Sequence, residues 1–363
     1  MAKNKIRLIQ WNCRSIRHKR MELELVVQKL KPHVILLNET WAQPHESYQF
    51  NHLGYSTIQN DRENASPNDL HHGGVMILVH NSLKITGKFF DFNTESSEWL
   101  GIQLKVGSSM VNICTGYKSP DEELDFSFLS QIFDDDMPTI FAGDLNAWHL
   151  NLKSGPTSNK TGEELVDWIN DNLITNVSGG LPTCYKLNST TGTISKRQLD
   201  IWMVNEKARN MVCSKSSVDE FYGSDHLVTH LEILTNIPIL DDPVMLRLNK
   251  EPRFNFYKAN WDGYRTDLAK LLQLHADPAT PKIDDPINQI DHYYEKILFC
   301  INSAADKNVP KCEAGKLPDW HLTKEIANAL ESKNKLERLL TQHPGDHNIK
   351  TTLSLVKGVC IMA

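Results

Sequence analysis

From residue 6 to about residue 235, short apolar runs alternate with polar breaks. The runs are Ile6–Trp11, Val34–Leu37, Gly74–His80, Trp99–Leu104, Met110–Gly116, Thr139–Ala142, Leu199–Val204 and Leu227–Leu234. Most are rich in Val and Ile and bounded by Gly, Asn, Asp or Pro, which predicts strands. Helical spacing falls between some of them: Met21–Lys31 has apolar residues at 23, 26, 27 and 30, and Leu124–Phe133 and Gly162–Asn172 are similar. Where strands follow one another without a helix, at 74–80, 99–104 and 110–116, antiparallel pairing is the expected connection. Strands outnumber helices, so the fold class is α+β within the mixed α/β group: two packed sheets with helices outside.

The texture changes around Thr235–Pro243, where Ile237-Pro238 and Asp241-Asp242-Pro243 read as a linker. Beyond it the chain is helical in pattern. Trp320 to about Gln342 predicts an amphipathic helix with Ile326, Leu330, Leu336 and Leu340 as its apolar stripe. The expected division is a domain over 1–236 and a helical extension over 237–363.

Composition narrows the class. The 363 residues are 40% hydrophobic and 23% charged, a globular balance that excludes wholesale disorder and fibrous repeats. No apolar stretch approaches ~18 residues and the first residues are polar and basic, so neither a membrane span nor a signal peptide is expected. The seven cysteines, Cys13, Cys114, Cys184, Cys213, Cys300, Cys312 and Cys360, are scattered without C-x-x-C spacing. That argues against a disulfide framework and a structural zinc site, and for an intracellular, unsecreted protein. In this setting the N-x-S/T triplets at Asn38, Asn64, Asn159, Asn176 and Asn188 are not read as glycosylated.

The net charge of −6 is unevenly placed. Residues 237–363 balance 17 basic against 17 acidic groups, so the whole deficit lies in 1–236, with 22 basic against 28 acidic. A plain basic-patch reader of nucleic acid would show the opposite sign, whereas an enzyme that gathers carboxylates around a divalent cation would look like this.

Polar residues close the predicted strands. Gln10-Trp11-Asn12 ends the first and Asn38-Glu39-Thr40 the second, Tyr117 follows 110–116, and Gly143-Asp144-Leu145-Asn146 follows Thr139–Ala142. Asp200 sits in Gln198-Leu199-Asp200-Ile201, and Ser224-Asp225-His226 opens the last strand. Strand ends are where a rigid scaffold presents reacting groups. Glu39, Asp144, Asp225 and the amide oxygens of Asn12 and Asn146 are hard ligands suited to Mg²⁺ or Mn²⁺. His226 can take a proton from water near neutral pH, and Asp200 could hold its imidazole in one tautomer. Metal, base and hydrogen-bond donors together point to phosphodiester hydrolysis. Any one of these residues alone is an ordinary turn or cap residue; their order carries the weight.

In that order the segments I-Q-W-N at 9–12, L-N-E-T at 37–40, G-Y-K-S-P at 116–120, G-D-L-N-A at 143–147, L-D-I at 199–201 and S-D-H at 224–226 resemble the endonuclease/exonuclease/phosphatase superfamily. A finer resemblance is to the endonuclease domain of jockey-like non-LTR retrotransposons. It is carried by W-N-C-R-S-I at 11–16, G-G-V-M-I-L-V at 73–79 and Pro182-Thr183. F-N-F-Y-K-A-N-W at 254–261 and the P-D-W…K-E stretch from 318 resemble the connector that precedes a reverse transcriptase, which does not follow here. The chain is thus expected to be the N-terminal part of a longer reading frame or a truncated copy.

The resemblance implies a four-layer sandwich of two mixed β-sheets flanked by helices. It implies Glu39 as the central metal ligand with Asn12 and Asp225 near it. Asp144 would orient or deprotonate the attacking water, and Asn146 and Tyr117 would hold phosphate oxygens. His226 would stabilise phosphate charge as imidazolium or act as base, paired with Asp200. A hairpin within Tyr185–Gln198, with Lys196 and Arg197, would probe a DNA groove, and Thr183 and Ser224 would add substrate contacts. Arg197 departs from the small residue common three positions before the family's L-D aspartate. The expected function is a Mg²⁺-dependent (Mn²⁺ in its place) endonuclease that nicks double-stranded DNA, leaving a 3′-hydroxyl for target-primed reverse transcription in the nucleus. The alternatives are an abasic-site nuclease or phosphatase of the same fold, and a catalytically silent binding module. His71-His72-Gly73-Gly74 is read as a turn before a strand rather than a metal cluster, and Asp134-Asp135-Asp136 as a solvated helix end.

Overall fold

The computed structural model describes residues 4–42, 48–62, 72–94, 97–133, 136–152, 157–187, 193–235, 258–275, 286–310 and 322–362. One six-stranded sheet runs, from edge to edge, β13 (Ser217–Phe221), β14 (Leu227–Thr235), β1 (Asn4–Asn12), β2 (Val34–Asn38), β4 (Val75–His80) and β3 (Tyr55–Asn60). The second runs β5 (Lys84–Asn93), β6 (Ser97–Val106), β7 (Ser109–Lys118), β8 (Thr139–Asp144), β12 (Asp200–Val204) and β9 (Thr175–Asn176). Both are mixed: β1 and β2 are parallel, as are β7 and β8, and the remaining pairs are antiparallel. A separate hairpin joins β10 (Cys184–Leu187) to β11 (Ile194–Arg197).

The period of two along each strand builds the layers. Ile6 and Leu8 of β1, Val34 and Leu36 of β2, Ile140 and Ala142 of β8 and Trp202 and Val204 of β12 meet in the core between the sheets. Their neighbours Ile9, Trp11, Ile35 and Leu37 face outward under α1 (Arg20–Leu30). Phe141, Ile201 and Met203 face outward on the other sheet, under α2 (Phe126–Phe133) and α3 (Lys160–Asp171), and the short α4 (Glu206–Arg209) follows β12. The result is the helix–sheet–sheet–helix sandwich expected.

Two sequence expectations are corrected. The run at 74–80 does not pair with 99–104: β5 intervenes and pairs with β6, while β4 lies in the opposite sheet between β2 and β3. The strands absent from the sequence reading are β3, β5, β9 and β13, whereas the β10–β11 hairpin falls where one was expected. The four absent strands are the sheet edges. An edge strand buries fewer side chains, so its apolar signal is thin, as the half-exposed pattern of β5 shows.

The chain divides into two compact units, one of Met1–Leu246 with Trp320–Ala363 and one of Arg247–Asp319. In the first, α7 (Lys324–Gln342), capped by the Thr323 side chain, places Ile326 and Leu330 in the outer core beside α1, while α8 (His347–Met362) follows it. Leu336 and Leu340 of the expected stripe are only half-buried, and Lys333 and Asn334 are buried instead. The second unit holds α5 (Trp261–His275) and α6 (Pro286–Asn308), tied by a hydrogen bond from Asn308 Nδ2 to Asp267 Oδ2 at 2.8 Å. The linker expected from 236 onward, and the P-D-W motif, lie outside the described residues. No helix among them is long and apolar enough to cross a membrane.

Candidate active site

The alternation that buries Ile6 and Leu8 between the sheets carries on to Gln10 and Asn12, which are fully buried. The same continuation brings Asn38 from β2, Tyr117 from β7, Asp144 from β8 and Asp200 from β12 to the inner face. β7, β8 and β12 are in register here, with Tyr117 opposite Asp144 and Asp144 opposite Asp200. The polar residues therefore take the inward positions at one end of strands whose other inward positions are core: the C-terminal ends of β1, β2, β7 and β8 and the N-terminal end of the antiparallel β12.

Their hydrogen bonds form one network. Asn12 Nδ2 donates to Glu39 Oε1 and to Asp144 Oδ2, both at 2.9 Å. His226 Nδ1 lies 2.9 Å from Asp200 Oδ2, and its Nε2 faces Asp144 Oδ2 at 3.7 Å. Asp144 Oδ1 accepts from the Asn146 backbone N–H at 3.0 Å. One Asn146 amide N–H is already used on Lys118 O at 2.9 Å. The Tyr117 hydroxyl is hydrogen-bonded to Glu39. Asp225 stands to one side, its Oδ2 accepting from Arg14 Nη1 at 2.9 Å.

Glu39 adopts φ +49° and Trp41 φ +52°, conformations that L residues with long side chains rarely take. Backbone bonds hold them there. Ser15 N–H donates to Glu39 O at 2.9 Å, and Thr40 and Trp41 N–H donate to Gly74 O and Gly73 O. Both glycines have positive φ, and a Cβ on Gly74 would meet the Thr40 hydroxyl, so this close backbone approach requires glycine. The His72 ring packs edge-on against Trp41; His71 lies outside the described residues.

Burial sets the protonation of this site. It pushes the Asp144 carboxyl up to about 7, with the charges of Asp200 and Glu39 adding to it and the His226 charge and the hydrogen bond from the Asn12 amide opposing. Burial alone would lower His226, but the carboxylates of Asp200 and Asp144 hold the imidazole well above its usual range. Burial with the Glu39 and Asp144 charges raises the Tyr117 phenol, keeping it a neutral donor.

The residues expected to meet substrate separate into two groups. Thr183 and Ser224 are buried and hold the scaffold. Thr183 Oγ1 accepts from the N–H groups of Leu199 and Asp200, and Ser224 Oγ donates to Asn12 O at 2.7 Å. Lys196 and Arg197 are on the hairpin, with Arg197 stacked over the Trp148 ring at 4.0 Å; the loop at 188–192 lies outside the described residues. Sequence reasoning names Gln10 at the strand end but gives it no role; Gln10 donates to Asp200 Oδ1 and Asn38 Oδ1. Sequence reasoning missed the buried Glu98, which pairs with Arg62 Nε at 2.5 Å and accepts from Gly74 N–H. A charged residue opening an apolar run was the available signal for Glu98.

The donor set fits a hard divalent cation. Asn12 Oδ1 and Asp225 Oδ1 are buried with no hydrogen-bond partner, and carboxylates of Glu39 and Asp144 flank the Asn12 amide.

Several solved structures are similar to this chain, and the first of them shares its fold. The endonuclease domain of TRAS1, a telomere-specific non-LTR retrotransposon, is 16% identical over 63% of this chain and 98% of that one, with a TM-score of 0.50. An AP endonuclease from Archaeoglobus fulgidus is 13% identical over 64% and 100%, with a TM-score of 0.49. The AP endonuclease LMAP from Leishmania major is 15% identical over 63% and 88%, with a TM-score of 0.48. No curated protein sequence matches the chain. Residues 9–226, more than half of the chain and the span from Ile9 beside Gln10 to His226 itself, match the endonuclease/exonuclease/phosphatase family, to which this protein belongs.

Proposed function

We propose that this chain is a Mg²⁺-dependent endonuclease, with Mn²⁺ able to substitute, that nicks double-stranded DNA and leaves a 3′-hydroxyl. The observation that carries the reading is the chain of contacts Asp200–His226–Asp144–Asn12–Glu39, buried up to Asn12 and half-buried at Glu39. Asn12, Glu39 and Asp225 would hold the cation. When bound, it supplies Lewis-acid polarisation of a phosphate oxygen.

The protein's own groups do the rest. Asp200 fixes the His226 ring, so that Nε2 presents to the reacting phosphate beside Asp144. Asp144 and His226 handle the proton taken from water, one orienting or deprotonating it and the other meeting phosphate charge. Tyr117 and the second Asn146 N–H donate to phosphate oxygens. Lys196 and Arg197 on the hairpin supply salt-dependent contacts to the DNA backbone.

The motif set and the connector-like residues after 250 favour service to a non-LTR retrotransposon. Residues 237–363 would then lead into a reverse transcriptase, the part through which element RNA would be engaged, and the nuclease would act in the nucleus. Supercoiled plasmid incubated with Mg²⁺, with and without chelator and beside His226→Ala, tests the reading. Open circles that require both metal and His226 are expected. A folded protein that binds DNA without converting it would instead be a silent binding module.

A further inference from the structure

Beside the hard-oxygen network, and sharing His226 and Asp225 with it, one more group of ligating atoms meets at the start of β14. Cys184 of β10 bridges His226, and the Tyr185 N–H donates to Asp225 O at 2.9 Å, so the hairpin is stitched against Ser224-Asp225-His226. One ligating atom each from Cys184, Asp225 and His226 lies within 4.8 Å of the others. Cys184 is 3% exposed and His226 2%. Asp225 Oδ1 is buried without a hydrogen-bond partner, while its other oxygen is held by Arg14. Cys13, Cys114, Cys213 and Cys300 likewise form no disulfide among the described residues, and none of them joins such a group there.

We propose that Cys184, Asp225 and His226 form a thiophilic-metal site that takes Zn²⁺ or Cd²⁺ and thereby blocks the catalytic centre. Thiolate, imidazole and carboxylate are the zinc donor set, whereas Mg²⁺ takes oxygen ligands. Zn–S and Zn–N bonds of about 2.3 and 2.0 Å put tetrahedral ligands roughly 3.5 Å apart, so small side-chain rotations from the present separations close the site. Three protein ligands leave a fourth position for water. On binding, the Cys184 thiol and the His226 imidazolium each release a proton to solvent, so that a thiolate and a neutral ring nitrogen face the metal. A metal there takes His226 and Asp225 away from the network that faces the phosphate. This last consequence rests on the nuclease reading; the metal site itself does not.

The full chain is titrated with Cd²⁺ and the ultraviolet thiolate-to-cadmium absorption followed, for wild type, Cys184→Ala and Cys184→Ser, with circular dichroism reporting folding. Wild type should show a stoichiometric band that both variants lose. In Mg²⁺-supported nicking, Zn²⁺ should inhibit wild type, and Cys184→Ala should need at least about 10-fold more, the loss typical even of an outer-sphere partner. The rate in Mg²⁺ alone should not change. A band that survives in both variants, or none in wild type, overturns the site; equal Zn²⁺ inhibition of wild type and variant overturns the block. A Cys184-dependent band in a protein with no nicking activity would uphold the site and refute the nuclease reading.

Discussion

Gln10 Nε2 donates to Asp200 Oδ1 at 2.6 Å, and this bond crosses from the first sheet to the second. The same nitrogen donates to Asn38 Oδ1 at 2.8 Å, and Gln10 Oε1 accepts from the Thr229 hydroxyl at 2.9 Å. Asp200 therefore has one oxygen fixed from the opposite sheet and the other on His226 Nδ1. The orientation of the imidazole is set by the packing of two sheets rather than by a loop, so it should resist local fluctuation.

Gln10→Leu keeps the volume and removes all three bonds. Each buried group left unsatisfied costs about 1–3 kcal/mol, so the variant should unfold at lower urea concentration. If Gln10 positions Asp200, kcat for plasmid nicking should also fall, KM for DNA should change little, and the pH profile should shift. Loss of stability with an unchanged kcat and profile would make Gln10 a purely structural residue.

Metal affinity should divide Glu39 from Asp225. Glu39 is held at a strained φ of +49° inside the network, whereas Asp225 is 17% exposed at its side chain and already paired with Arg14. Calorimetric titration with Mn²⁺ should show no measurable binding to Glu39→Gln and weakened binding to Asp225→Asn. Arg14→Ala should bind Mn²⁺ more tightly than wild type, because it removes a competing cation from Asp225. Equal losses in Glu39→Gln and Asp225→Asn would place the two residues as equivalent ligands.

The sandwich was legible because interior strands such as Val34–Leu37 and Thr139–Ala142 bury nearly every side chain, which writes a dense apolar signal. The edge strands, of which β5 is typical, write none. The site was legible by the same physics read one step further: a polar residue in phase with the inward apolar positions, as Asn12 is with Ile6 and Leu8, must lie between the sheets. Glu98 escaped because its partner Arg62 comes from another strand's flank, a pairing that only the tertiary fold creates. Thr183 was placed near the DNA by sequence order, which says nothing of a side chain's direction; its hydroxyl turns inward to β12.

Asp144 makes the stability of the metal-free protein depend on pH. In the unfolded chain its carboxyl ionises near pH 3.9, whereas burial holds it up to about 7 in the fold. Below the unfolded value the group is neutral in both states. Above it the folded protein binds the proton that the unfolded chain has released, so stability falls as pH rises, until the folded group ionises as well. Urea unfolding in the presence of chelator, from pH 4 to 8, should show this decline in wild type and a flatter profile in Asp144→Asn. Parallel profiles would mean that Asp144 titrates as an ordinary carboxylate.

Helix α7 should prove part of the catalytic unit's stability although the sequence places it beyond a linker. Lys333 Nζ reaches Glu22 Oε1 of α1 at 2.8 Å, with side chains only 9% and 7% exposed, and the Leu322 N–H donates to Glu24 Oε2 at 3.1 Å. Gly223, at φ +79°, leaves the room: a Cβ there would meet the Lys333 ammonium at 2.9 Å. Lys333→Ala leaves Glu22 buried without its partner and should cost about 3–5 kcal/mol; Leu330→Ala should cost about 2–5 kcal/mol as a core truncation. Replacing Lys333 with Met and Glu22 with Leu together should recover much of the first loss, since the pair's attraction largely offsets its own desolvation. Both single losses should appear in the unfolding transition that abolishes DNA nicking. If they appear instead in a separate, earlier transition that leaves nicking intact, α7 docks on the nuclease without stabilising it.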